Sequence, residues 1–158
     1  GSRVSRGSTP RQPDQAPGVT ITLSYSPYRV YVEDPWDKRR GIVAVDLSKN
    51  GQLRTGIRNQ ALVRQAKRQM AADVTMLLAA EVWPEMRLPL VMDATITRRT
   101  AARADDDGCW TGLYSGRDAI AAALGINDAD IVTGAITWAK GPAEETRITV
   151  RENRGKEE

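Results

Sequence analysis

Between residues 59 and 83, Leu62, Ala66, Met70, Val74, Leu77 and Glu81 recur every three or four positions, while Arg64, Lys67, Arg68 and Asp73 fall mainly off that stripe. This period marks an amphipathic α-helix. Pro84 sets its end, because the residue before a proline disfavours the α region. One long helix must bury its apolar stripe against something, and the segments around it are of another kind. Residues 19–25 alternate apolar and polar side chains with β-branched enrichment, the period of a half-buried strand, which Pro27 ends. Segments 88–98, 131–138 and 146–150 also read as strands. The stretch 28–53 reads as irregular, with one short strand over 42–47 between turn signals at Asp34-Pro35 and Asn50-Gly51. An Ala-rich run over 118–124, closed by Gly125, predicts a short second helix, and Gly141-Pro142 predicts a hairpin between the last two strands. The order strand, loop, helix, strand, helix, strand, strand gives an α+β fold, with helices packed on one mixed β-sheet.

At 158 residues the chain suits a single domain. Residues 1–17 form a basic arm of Pro, Gly, Ser, Gln and Arg with too little apolar surface to order itself. The folded domain is expected over 18–152, with a polar tail over 153–158. Gly1-Ser2, without an initiating Met, reads as a cloning scar and is given no function. The apolar runs fall far short of the ~20 residues that span a bilayer. With one cysteine, Cys109, no internal disulfide can form. A soluble chain in a reducing cytoplasm is therefore the expectation. The chain has no His, which removes imidazole bases and His metal ligands and leaves catalysis to carboxylates, Lys, Arg, Tyr or backbone groups.

Charge is unevenly distributed. Residues 1–70 hold 13 Lys/Arg against 5 Asp/Glu, and residues 71–158 hold 10 against 15. Lys38, Arg39, Arg40, Lys49, Arg54, Arg58, Arg64, Lys67 and Arg68 form a run interrupted by Asp46 as the sole acid. Such a run is either a solvated surface or a footprint for a polyanion, of which nucleic acid is the natural candidate. Of the four Trp, Trp36 in the basic loop and Trp110 beside the aspartates are candidates for base stacking, with core packing as the alternative. Cys109 reads as an apolar filler.

Asp105-Asp106-Asp107-Gly108 begins where the strand over 88–98 has run out, and Asp128 and Asp130 follow the next helix. If the chain is extended there, Asp105 and Asp107 share a face. Converging carboxylates repel unless a hard cation such as Mg²⁺ compensates them, and without His an all-oxygen site is the ordinary metal site open to this chain. A solvated acidic turn is the alternative.

These acids carry a resemblance. Ala104-Asp105-Asp106-Asp107-Gly108, a helix holding Arg117 and Ile120, the run from Gly125 through Asn127-Asp128 to Ile131-Val132, and the closing strands together resemble the RusA family of phage and prophage Holliday-junction resolvases. The similarity of order spans about residues 19–152. It implies a Mg²⁺-dependent endonuclease, with Mn²⁺ as a substitute, that nicks paired strands of four-way DNA junctions as a homodimer in a bacterial or phage-infected cell. Carried over, the metal ligands are Asp105, Asp107 and Asp128. The family's lysine position falls on Thr111, and Arg117 is the nearest basic replacement. Arginine stays protonated, so only an electrostatic part of the lysine's work transfers to it. Gly108 stands where the family usually has Asn. A junction or duplex binder on the same fold without cleavage is the alternative reading.

Overall fold

The computed structural model describes residues 17–54, 59–100 and 106–153. The arm over 1–16, Arg58, Asp105 and the tail from 154 lie outside the described residues, as does the side chain of Arg54. The fold is α+β. A four-stranded sheet of order β1-β6-β4-β5 is built from β1 (Gly18–Leu23), β4 (Leu90–Arg98), β5 (Ile131–Lys140) and β6 (Glu145–Glu152). A second, two-stranded antiparallel sheet joins β2 (Val30–Glu33) to β3 (Ile42–Val45). The helices are α1 (Lys49–Arg54), α2 (Gln60–Ala79) and α3 (Asp106–Leu124), with 3-10 turns at Lys38–Arg40 and Asp128–Asp130.

Alternation along the strands sorts the main sheet into two faces. Val19, Ile21 and Leu23 of β1 register with Val150, Ile148 and Thr146 of β6, which in turn meet Met92, Ala94 and Ile96 of β4. These residues are buried, whereas Thr20 and Thr22 point to solvent, and the Thr20 and Thr149 hydroxyls bond across the pair at 3.0 Å. The buried face receives the stripe of α2 (Leu62, Ala66, Met70, Val74, Leu78) together with Leu113 and Ile120 of α3. Burial of this kind is worth about 1.5–3 kcal/mol for each large side chain and is the main force holding the layers together.

Three sequence expectations need correction. Strands β5 and β6 do not form a hairpin. Strand β5 lies parallel to β4 on one side and β6 antiparallel on the other. The Gly141-Pro142 turn crosses the end of β4, where the Gly141 N–H donates to the Arg98 carbonyl at 2.9 Å. Strand β4 is buried at Leu90, Val91, Met92, Ala94 and Ile96 and is paired on both edges, so it is, together with β6, a central strand of the sheet.

The region over 28–53 is also more ordered than expected, since it contains β2 and α1 as well as β3. Asn50-Gly51 lies inside α1. The Ser48 hydroxyl accepts the Gly51 N–H at 3.2 Å, an N-cap that converts an apparent turn into a helix start.

The third correction bears on function. Asp106 and Asp107 are not on an extended segment; they open α3, which runs unbroken to Leu124 and absorbs the short helix expected over 118–124. Gly108, Gly112 and Gly116 fall inside α3, and their spacing of four places them on one face of the helix. A Cβ on Gly112 would lie 2.7 Å from the Pro27 Cβ and 3.1 Å from the Leu47 carbonyl oxygen, so glycine is what lets α3 approach that loop. Gly125, at φ +70, ends the helix as expected, and the Ile126 N–H closes back on the Ala121 carbonyl at 3.0 Å.

Candidate active site

The start of α3 follows from local chemistry. Asp106 and Asp107 occupy its first turn, where the positive end of the helix dipole favours carboxylates. Both are exposed, and neither makes an ion pair among the described residues. The Asp107 carbonyl accepts the Thr111 hydroxyl at 3.0 Å, so the residue at the family's lysine position is turned onto its own helix.

Beneath these acids lies a set of side chains that no local pattern brings together. Cys109 and Trp110 are buried, which makes Trp110 a core residue rather than a stacking platform. Burial pushes the Cys109 thiol up to about 12, with the neighbouring Tyr28 phenol opposing and Asp106 adding to the shift. Burial likewise raises the Tyr28 phenol above its ordinary range, with Cys109 adding and Arg98 opposing. The Arg98 guanidinium lies 4.6 Å over the Tyr28 ring and 3.8 Å from the Glu144 carboxylate, which also accepts the Ser26 hydroxyl. Arg98, Glu144 and Tyr28 are thus neighbours of the helix start that the sequence reading did not select. For Arg98 there was one signal, the Arg98-Arg99 pair at the end of a strand leading into the aspartates. Tyr28 and Glu144 arrive from distant segments and carried none.

The far half of α3 is arranged differently. Arg117 directly precedes the short helix expected over 118–124. It stands instead in the middle of α3, ten residues beyond Asp107 and thus ~15 Å along the axis. Its guanidinium lies 3.7 Å from Asp118, 3.6 Å from Asp128 and 4.4 Å over the Tyr114 ring. Asp128 opens the 3-10 turn after α3, which Asn127 caps by accepting the Ala129 N–H at 2.9 Å. Arg117 therefore pairs with Asp128.

The expected metal ligands consist of hard carboxylate oxygens, which suits Mg²⁺. Asp107 is exposed with no ion pair among the described residues, and Asp128 is held by a single long one. Asp105 lies outside the described residues, and among those described no three of Cys, Asp and Glu assemble as a metal site. The donor chemistry fits the ion, while the described part of the chain supplies two of the three ligands without joining them.

The basic candidates lie on neighbouring elements. Lys38, Arg39 and Arg40 form the 3-10 turn before β3, Lys49 begins α1 with its side chain exposed, and Arg64, Lys67 and Arg68 occupy an exposed face of α2. Arg40 is committed to the buried Asp34 at 3.0 Å, and Arg39 pairs loosely with Asp37 at 3.7 Å. Arg64, Lys67 and Arg68 make no ion pair among the described residues.

No family model matches the chain, and no characterised protein matches it. No helix among the described residues is long and apolar enough to cross a membrane.

Proposed function

We propose that the chain is a RusA-like, Mg²⁺-dependent endonuclease acting on branched DNA, with Asp105 and Asp107 as metal ligands, Asp128 being engaged by Arg117 instead, and two copies acting together on a four-way junction. The observation that carries this reading is the separation of charge. Exposed acids without a described counter-ion open α3, while exposed cations line the 38–40 turn and the α2 face, and α2 packs directly on α3. Excess carboxylate invites a cation, and excess guanidinium and ammonium invite phosphate.

When bound, Mg²⁺ supplies an activated water and counter-charge for the scissile phosphate. The chain's own residues do the rest. Lys38, Arg39, Arg64, Lys67 and Arg68 bind the DNA backbone. Arg98, at the end of β4, is paired with Glu144. Arg117 holds Asp128 in place through its ion pair and itself rests on Tyr114.

The second reading, a junction binder without cleavage, is favoured by one observation: the Arg117 guanidinium engages Asp128, the third expected ligand, and Thr111 stands where the family has its lysine.

Incubation of a labelled four-way junction with Mg²⁺ or with EDTA separates the two. Metal-dependent paired nicks support the nuclease, binding without nicks supports the second reading, and an absence of binding removes both. Each phosphate contact contributes a log–log salt slope of about −0.9, so replacing Arg64, Lys67 and Arg68 by Gln flattens the slope by up to about 3 if all three touch phosphate. Light scattering across micromolar concentrations tests the dimer.

A further inference from the structure

Trp36 has no part in the site so far. Of the four Trp, all among the described residues, Trp110 is buried and Trp83 and Trp138 pack against the core, whereas Trp36 is 75% exposed. An indole left in water is costly, and here the backbone is built to keep it there. Asp34, itself buried, accepts the N–H groups of Trp36 at 2.9 Å and Asp37 at 3.1 Å, and pairs with Arg40 at 3.0 Å. Asp37 caps the following turn by accepting the Arg39 N–H at 3.0 Å, and the Asp34 N–H donates to the Gly41 carbonyl at 3.0 Å. The turn is thus pinned at both ends, and the indole projects from a rigid base.

It projects beside a cleft of about 690 Å³ whose walls include Trp36, Arg40, Asn59 and Arg64. The acids of the cleft are already used, Asp34 by Arg40 and Asp37 by Arg39. Arg64 has no ion pair among the described residues, and Lys67 and Arg68 extend the positive face along α2. A flat apolar ring beside an uncommitted guanidinium is complementary to one ligand chemistry, a planar base carrying a phosphate. Within a duplex both faces of a base are covered by its neighbours, so a base able to meet Trp36 has left the stack.

We propose that Trp36 and Arg64 form a nucleotide pocket for one unstacked base of the DNA, with the indole against the base and the guanidinium against its phosphate. This rests on the DNA-binding reading above. It adds a source of preference for branched over continuous duplex that is separate from the acidic site, because a branch point exposes base faces.

The test is binding in EDTA, by fluorescence anisotropy, to a forked DNA with unpaired bases at the branch and to a blunt duplex of equal length. Stacking is worth ~1–3 kcal/mol per base, so Trp36→Ala weakens fork binding about 5- to 150-fold with an unchanged salt slope and leaves the duplex within about twofold. Trp36→Tyr keeps fork affinity within about threefold, and Arg64→Gln flattens the salt slope by about 0.9. A 2-aminopurine at the branch changes its emission on adding wild type and not on adding Trp36→Ala. Equal loss on fork and duplex, or no loss, overturns the pocket while leaving DNA binding standing. So does sedimentation in which Trp36→Ala turns a dimer into a monomer, since the indole is then a subunit contact. A wild-type protein that binds neither DNA overturns the functional reading, and the pocket with it.

Discussion

The two ends of α3 carry similar residue types and make opposite use of them. At the N-terminal end, Asp106 and Asp107 are exposed with no ion pair among the described residues, and the helix is locked through Gly112 onto the loop holding Pro27 and Leu47. In the C-terminal half, Arg117 sits between Asp118 and Asp128 over Tyr114, so its charge is balanced where it stands. A balanced cluster is a structural device. An unbalanced one at a helix start, where the dipole alone does not neutralise two carboxylates, is where a ligand of opposite charge gains most. The same helix thus presents one end suited to chemistry and one suited to holding the fold.

The comparison is tested most severely by Asp107→Asn. On the nuclease reading, metal-dependent nicking falls by ~10² or more because a metal ligand is lost, while junction binding is kept or improved as one negative charge leaves the phosphate-facing surface. Unchanged nicking in matched gels would move the chemistry away from this end.

The packing of the two halves is compared by a pair of glycine substitutions. Gly112→Ala must push against backbone at Leu47 and costs about 1–3 kcal/mol, or roughly 3–10 °C in Tm for a chain of this size. At Gly116 an added Cβ meets Val74 at 3.5 Å and Met70 at 3.6 Å, an ordinary contact, so Gly116→Ala stabilises by about 0.5–1 kcal/mol through helix propensity. Equal Tm changes of one sign would erase the distinction between the halves.

Arg117→Ala removes one ion-pair centre and one cation–π contact, for a loss of about 1 kcal/mol, read as a Tm drop of roughly 2–4 °C. Single-turnover cleavage stays within about threefold of wild type. A loss of ~10² in rate at unchanged Tm would instead place this guanidinium at the reacting phosphate.

The smallest effect concerns Cys109 beneath the acidic end. Its thiol is raised from the ordinary 9.0 to about 12, so the folded chain holds that proton more tightly than the unfolded chain does. Its contribution to stability is complete below pH 9 and is lost as pH rises toward 12. Tyr25 and Tyr28, also raised by burial, add a loss of the same sign above pH 10. Urea unfolding between pH 9 and 10 reads the thiol together with the onset of the tyrosines, and Cys109→Ala shows a flatter decline there than wild type.

Sequence alone sufficed for the features that depend on neighbours along the chain. The stripe from Leu62 to Val74, the alternation from Val19 to Leu23, the stop at Gly125 and the α+β class are short-range consequences of helix and strand periodicity, and each agrees with the structure, although Leu78 rather than Leu77 is buried and α2 stops at Ala79, short of Trp83. The exposed charge of Arg64, Lys67 and Arg68 was legible for the same reason. Tertiary packing decided the rest. Gly112 shows its use only once Pro27 and Leu47 are present to need the space, and α3 begins twelve residues earlier than the Ala-rich run over 118–124 suggests. Strand β6 pairs with β1 and β4 rather than with β5, a long-range choice invisible from the Gly141-Pro142 turn. Arg117 is claimed by Asp128, and Tyr28, Arg98 and Glu144 gather beneath Asp106, because ion pairs and burial are settled by distance in space, which spacing along the chain does not encode.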